Sequence, residues 1–284
     1  MRILILGATG MLGNCLYRYF SKLGSIEVFG TVRENKHRKY FCDKITENII
    51  HGCDASNFDT ISDAINKVKP DLIVNCIGII KQRYTNRKLA DAIRINSLFP
   101  HQLAVYLKDF ESRLIHISTD CVFSGSKGNY VESDLTDAVD VYGRTKYLGE
   151  IDLENTVTLR TSLIGHEILG SSSLVNWFLG QSDEVSGFTR AIFSGLPAVE
   201  MGLIIHNYIL PNPSLSGLYH VAAKPISKYD LLCLIKKYYR KKIKIIPDGK
   251  LVIDRSLNAS KFTDQTGYKS PDWESLVAKM EQFR

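Results

Sequence analysis

The chain has no apolar run approaching the ~20 residues needed to cross a bilayer as a helix, so a helical membrane span is not expected. It has no internal repeat and no low-complexity tract, which argues against stacked-repeat and disordered architectures. Its six cysteines, at 15, 42, 53, 76, 121 and 233, show no paired spacing, so a disulfide framework is not expected; reduced thiols and a cytoplasmic location are. Cys42, His51 and Cys53 lack both a fourth ligand and a zinc spacing, and no metal is assigned. The segment from Met1-Arg2 into Ile3-Leu4-Ile5-Leu6-Gly7 is too short for a signal peptide and continues into a motif.

What is present is ordinary for a globular protein: 284 residues, 44% hydrophobic and 23% charged, enough to bury a sizeable core. The net charge of +6 suggests an acidic ligand without naming one. Lys236-Lys-Tyr-Tyr-Arg-Lys-Lys242 reads as a basic helix end running into a strand, because Leu231–Ile235 precedes it and the alternating Ile243–Ile246 follows; a nucleic-acid partner is not assigned.

Apolar strands alternate with amphipathic helices through the N-terminal half. Strands are expected at 2–6, 26–31, 71–77, 114–118 and 157–160, and helices at 11–22, 57–68, 86–110 and 140–154. This predicts an α/β fold with a doubly wound, Rossmann-like parallel sheet over 1–161. Beyond that the pattern loosens around Ser171–Ser173, Pro197, Pro211, Pro213 and Pro225, which predicts a smaller C-terminal substrate lobe over 162–284, interleaved with the sheet.

Ligands of such sheets bind at the carboxyl ends of strands, where Gly7, Gly78 and Ser118–Asp120 all fall. Gly7, Gly10 and Gly13 lie between a strand and a helix, the place where backbone N–H groups approach a pyrophosphate, although their spacing differs from the standard dinucleotide fingerprint. Arg33 follows the second strand with no carboxylate before it, which favours a 2′-phosphate and hence NADPH over NADH. Asp54 either receives an adenine amine or caps the helix beginning near Ser56. Tyr142 and Lys146, at i and i+4, share a helix face, where an ammonium can favour ionisation of a phenol serving as general acid or base.

Together with Pro70–Asn75, Ile93–Asn96, Ile117–Gly125, Tyr130–Asp134, Tyr142–Glu150, Leu159–Thr161, Gly217–His220 and Arg255–Asn258, these motifs resemble the extended branch of the short-chain dehydrogenase/reductases. Within it, the chain is most similar to dTDP-4-dehydrorhamnose reductase and related nucleotide-sugar 4-ketoreductases. The resemblance implies catalysis by Thr119, Tyr142 and Lys146: Tyr142 as proton donor, Thr119 bonded to the same carbonyl oxygen, Lys146 on the nicotinamide ribose. It implies a cofactor site of Gly7, Thr9, Gly10, Met11, Leu12, Gly13, Arg33, Asp54, Asn75, Cys76, Ile77, Gly78, Asn96, Ser118, Tyr142 and Lys146. Thr119, Asp120, Val122, Tyr142, Arg255 and Asn258 would contact the nucleotide-sugar, and a homodimer is the family habit.

Asn75-Cys-Ile-Gly78 followed by Ile79-Ile80-Lys81-Gln82, and Phe193–Glu200, depart from the rhamnose-pathway pattern. They favour another 4-keto-6-deoxy sugar, such as a UDP-linked N-acetylamino sugar for a surface polysaccharide. A nucleotide-sugar epimerase and a non-catalytic regulatory subunit like that of methionine adenosyltransferase are the alternatives.

Overall fold

A computed structural model describes residues 1–41, 46–80 and 89–284. Cys42, Lys81, Gln82 and the start of the 86–110 helix lie outside the described residues. Packing divides the chain into two compact units: Met1–Ser118 with Asp140–Leu159 and Pro213–Leu218, and Thr119–Val139 with Arg160–Asn212 and Tyr219–Arg284.

The first unit is built on a sheet with strands β1 (Arg2–Leu6), β2 (Glu27–Thr31), β3 (Ile49–Ile50), β4 (Leu72–Asn75), β5 (Arg113–Ile117) and β6 (Thr156–Arg160). They stand in the order β3-β2-β1-β4-β5-β6, with Gly217–His220 beside β6 as the seventh strand. Every pairing among β1 to β6 is parallel. The order reverses between β1 and β4, the crevice where doubly wound sheets take their ligands.

Both faces are covered, and the central strands carry consecutive apolar side chains, Ile3–Leu6 on β1 and Leu72–Val74 on β4. Leu4 and Leu6 pack with Ile61, Ala64, Ile65, Phe99 and Leu103 from helices Phe58–Val68 and Phe99–Tyr106. Ile3 and Ile5, pointing the other way by the period-2 rule, are equally buried. Helix α1 (Met11–Phe20) buries Leu12, Leu16, Tyr17 and Phe20.

The helix carrying Tyr142 and Lys146 is shorter than the 140–154 expected from sequence: it spans Val141–Tyr147. Its Asp140 cap accepts from Gly143 N–H at 2.8 Å, and its last turn tightens as Gly149 N–H bonds the Lys146 carbonyl at 3.1 Å. Just past that turn Gly149 lies against the Asn96 carbonyl with no room for a Cβ. Asn96 itself sits in a π-helical turn, Ile93–Leu98, within the long helical stretch.

The second unit is held by short ladders: Leu163–Ile164 with Leu196–Pro197, Glu184–Phe188 with Lys244–Asp248, and Ala191–Phe193 with both Ile226–Ser227 and Ile253–Asp254. Glu200, fully buried, is held by Lys279 Nζ at 2.5 Å and by the Tyr268 hydroxyl at 3.2 Å. The basic run reads as expected: Lys236 and Lys237 end the helix Lys228–Tyr238, and the strand Lys244–Asp248 follows. Among the described residues, no helix is long and apolar enough to cross a membrane.

Gly149→Ala is expected to destabilise the protein by about 1–3 kcal/mol, since the added methyl must displace backbone, not a flexible side chain. Urea unfolding against wild type measures it.

Candidate functional site

After β1 the chain turns through Gly7, whose φ of +84° suits glycine. Its N–H donates to Thr31 Oγ1 at 3.1 Å, Ala8 N–H donates to the Thr31 carbonyl at 2.9 Å, and Gly10 N–H returns to the Gly7 carbonyl at 3.0 Å. A Cβ at Gly13 would collide with that same carbonyl oxygen. Helix α1 therefore starts hard against the turn, with Gly10, which has no capping side chain, at its N-cap and no acidic residue in its first turn. Such an end fits a phosphate. Thr9 belongs to the same turn, and Met11 and Leu12 open α1. Arg33 is exposed just past β2, while Asp54 Oδ1 accepts from Ser56 N–H at 2.9 Å and Ser56 Oγ at 2.8 Å. Asp54 thus makes a local turn, and the helix after it starts at Phe58 with Asn57 in the cap position.

Across the crevice, the loop after β4 is pinned by two asparagines. Asn75 Oδ1 accepts from Ile77 N–H at 3.1 Å, and Asn96 Oδ1 accepts from Ile79 N–H at 2.8 Å. The Asn96 amide nitrogen reaches the Ile79 carbonyl at 3.0 Å and Thr145 Oγ1 at 3.1 Å. Asn96 thereby ties the loop holding Cys76, Ile77 and Gly78 to the helix of Tyr142 and Lys146. Burial pushes the Cys76 thiol well up, so it is an uncharged lining residue.

Tyr142 is half-buried and Lys146, one turn on, is buried. Lys146 Nζ donates to the Ile117 carbonyl at 2.6 Å and lies 3.4 Å from His116 Nε2. Burial lowers its pKa to about 8, against the opposing pull of Glu150. Ser118 Oγ, at the end of β5, donates to Glu150 Oε1 at 2.6 Å.

In the second unit, Thr119 Oγ1 accepts from Cys121 N–H at 3.1 Å and contacts Asp120 Oδ1 at 3.3 Å. Asp120 is buried; burial raises its pKa, and the cations Lys228 and Arg255 oppose that rise. Arg255 points inward: Nε donates to the Phe123 carbonyl at 2.8 Å and Nη1 to Cys121 Sγ at 3.6 Å. Asn258 Oδ1 accepts from Ser260 N–H at 2.9 Å. Val122 packs its side chain into the core with Phe123, Tyr130, Ala222 and Leu257, and its carbonyl accepts from Ala138 N–H.

Sequence reasoning gave no role to His116, Thr145, Glu150 or Lys228. His116 and Glu150 lie inside or beside motifs already singled out. Lys228, near Asp120 and 4.0 Å from the Phe193 ring centroid, carried no local signal.

The lowered Lys146 pKa has a stability consequence. Between about 8 and the ordinary 10.5, the unfolded chain binds this proton and the folded chain does not, so stability rises with pH across that window. The difference in unfolding free energy between wild type and Lys146→Met is expected to shift in favour of wild type as pH rises through it, as urea titrations at stepped pH would record.

Comparisons with known proteins converge. The RmlD substrate binding domain family matches residues 1–173. dTDP-4-dehydrorhamnose reductase of Escherichia coli (strain K12) is 25% identical over an alignment of 304 residues, covering 99% of this chain and 97% of the relative. Methionine adenosyltransferase 2 subunit beta of Danio rerio is 26% identical over 248 residues, 82% of this chain and 72% of the relative. Among solved structures, dTDP-4-dehydrorhamnose reductase from Bacillus anthracis in complex with NADP shares the fold, with a TM-score of 0.78 at 21% identity over 98% of this chain and 96% of that one. The family match spans the glycine turn, both strand-end loops and the Tyr142–Lys146 helix, and on that basis the chain belongs to the RmlD substrate binding domain family.

Proposed function

We propose that this protein is an NADPH-dependent reductase of the 4-keto group of a nucleotide-linked 4-keto-6-deoxyhexose, acting in surface polysaccharide biosynthesis. The observation that carries the reading is a buried lysine one turn from a half-buried tyrosine, bonded to the end of β5 in the same parallel sheet whose β1 leads into the glycine turn. The sugar is dTDP-4-dehydrorhamnose-like or a UDP-linked N-acetylamino sugar. The E. coli relative named for reduction of dTDP-4-dehydrorhamnose supports the reaction class, and the NADP complex of the B. anthracis enzyme supports the cofactor. A cytoplasmic location fits the free thiols of Cys15, Cys53, Cys76, Cys121 and Cys233, and a homodimer is the assembly we assign.

The glycine turn and the first N–H groups of α1 would hold the cofactor pyrophosphate, and Arg33 the 2′-phosphate. Gly13, with no room for a Cβ against the Gly7 carbonyl, lets α1 begin directly at the turn, which fits that role. When bound, NADPH supplies the hydride. Tyr142 gives its proton to the carbonyl oxygen as negative charge builds there, and Lys146 makes the resulting phenolate less costly. Thr119 donates a hydrogen bond to the substrate oxygen, and the cationic Lys228 and Arg255 near Asp120 suit a sugar diphosphate.

A second reading, a non-catalytic regulatory subunit, is favoured by the match to methionine adenosyltransferase 2 subunit beta. One assay separates the two. Loss of NADPH absorbance with freshly made dTDP- and UDP-4-keto-6-deoxy sugars is expected for wild type, with Tyr142→Phe slower by about 100-fold or more and NADPH binding retained. Tight NADPH binding without turnover on any sugar, together with a stoichiometric protein partner, would instead support the regulatory subunit.

A further inference from the structure

Between β4 and the Lys146 helix lies a fully buried histidine that the reduction scheme leaves without a role. His116, on β5, has Nδ1 3.1 Å from the Asn75 amide nitrogen and Nε2 3.4 Å from Lys146 Nζ. The Asn75 orientation is not arbitrary. Its Oδ1 accepts from Ile77 N–H, so the amide turns its nitrogen toward the imidazole. An amide nitrogen only donates; His116 Nδ1 must therefore accept, and in a neutral ring the proton sits on Nε2. The ring stays neutral because burial, first, and then the charges of Lys146 and His101 hold its pKa well below the usual histidine value.

An Nε2–H bond aimed at Lys146 opposes an ammonium and suits an amine lone pair. We propose that Asn75 and His116 are positioning residues which, by fixing the imidazole proton on Nε2, make Lys146 a readier proton donor than an ordinary lysine. This rests on the reductase reading above. As Tyr142 delivers its proton to the substrate oxygen, Lys146 restores it and recovers one from solvent, so one proton is consumed per ketone reduced.

Other groups bear on Lys146 too. Glu150, four residues on, favours the ammonium form; the uncharged Cys76 thiol faces it from the β4 loop, the Ile117 carbonyl accepts from Nζ, and Tyr142 sits one turn earlier. His116 is the neighbour that acts against the charge through a directed bond, so its tautomer sets the balance.

Two substitutions invert that bond. Asn75→Asp places a carboxylate where the amide nitrogen was, drawing the imidazole proton onto Nδ1 and leaving Nε2 to accept from an ammonium. His116→Gln offers Lys146 an amide oxygen. In both, the alkaline limb of kcat/KM for NADPH-dependent ketone reduction is expected to move up by about one pH unit or more. A limb that stays in place in both variants, with only thermal stability lost, would reduce the pair to packing and overturn the proposal.

A second measurement needs neither turnover nor a variant that keeps its activity. Long-range nitrogen–proton NMR of wild type labelled with nitrogen-15 histidine reads each ring tautomer, and His116 is assigned by the signal missing from His116→Gln or His116→Asn. A neutral ring protonated on Nε2 at neutral pH is expected; an imidazolium or an Nδ1–H ring would overturn the proposal. Absence of wild-type turnover on any sugar would count against the reductase reading, while the histidine spectrum would still decide the tautomer.

Discussion

Lys146 Nζ sits in the interior of the first unit, 2.6 Å from the Ile117 carbonyl, and much of that unit's architecture serves to keep it there. An ammonium withdrawn from water needs directed acceptors and counter-charge, or it sheds its proton. The end of β5 supplies the carbonyl, and Glu150 supplies the negative charge while also accepting from Ser118. The helix bearing the lysine is short, so its own propensity contributes little. Its place is fixed from outside by Asn96, which grips Thr145 and the backbone at Ile79 together, and by Gly149 lying flat on the Asn96 carbonyl. The balance of these terms leaves the amine poised near neutrality, where a side chain can give and regain a proton.

The second unit handles charge differently. Its buried carboxylate, Asp120, has cations within reach in Lys228 and Arg255, and Arg255 is itself anchored to the Phe123 carbonyl. Phe123 stacks on Tyr130 with centroids 4.1 Å apart, and the Tyr130 hydroxyl accepts from Gly125 and Lys127 N–H, so the loop between them is rigid. Lys228 at the start of its helix and Arg255 bonded to the Phe123 carbonyl are held cations, which suit a phosphorylated ligand because little ordering entropy remains to be lost on binding.

The strands and helices of the first unit were legible because the sheet is buried on both faces. Continuous apolar runs such as Ile3–Leu6 and Leu72–Val74 admit few other readings, and the glycine turn announces the first crossover. The end of the Tyr142 helix was not legible. Residues 148–154 look helical in isolation, yet the helix ends at Tyr147 and Gly149 packs on the backbone of Asn96, a partner that the local sequence does not announce. The Asp54 and Asn258 side chains spend acceptors on neighbouring N–H groups, Ser56 and Ser260, and Val122 turns into the core. Motif matching names such positions without saying which way the side chain points.

Residue type and spacing by themselves pointed to a doubly wound parallel sheet, the glycine turn and the pairing of Tyr142 with Lys146, because each follows from local geometry: period, turn conformation and the pitch of a helix. Tertiary structure alone decided the chemistry of that pairing. How far Lys146 is stripped of water, that Asn75 presents its amide nitrogen to His116, and that Asn96 bridges a loop and a helix all depend on residues brought together from separate strands. Desolvation and hydrogen-bond direction are properties of the assembled interior, and no stretch of sequence carries them until the sheet has formed.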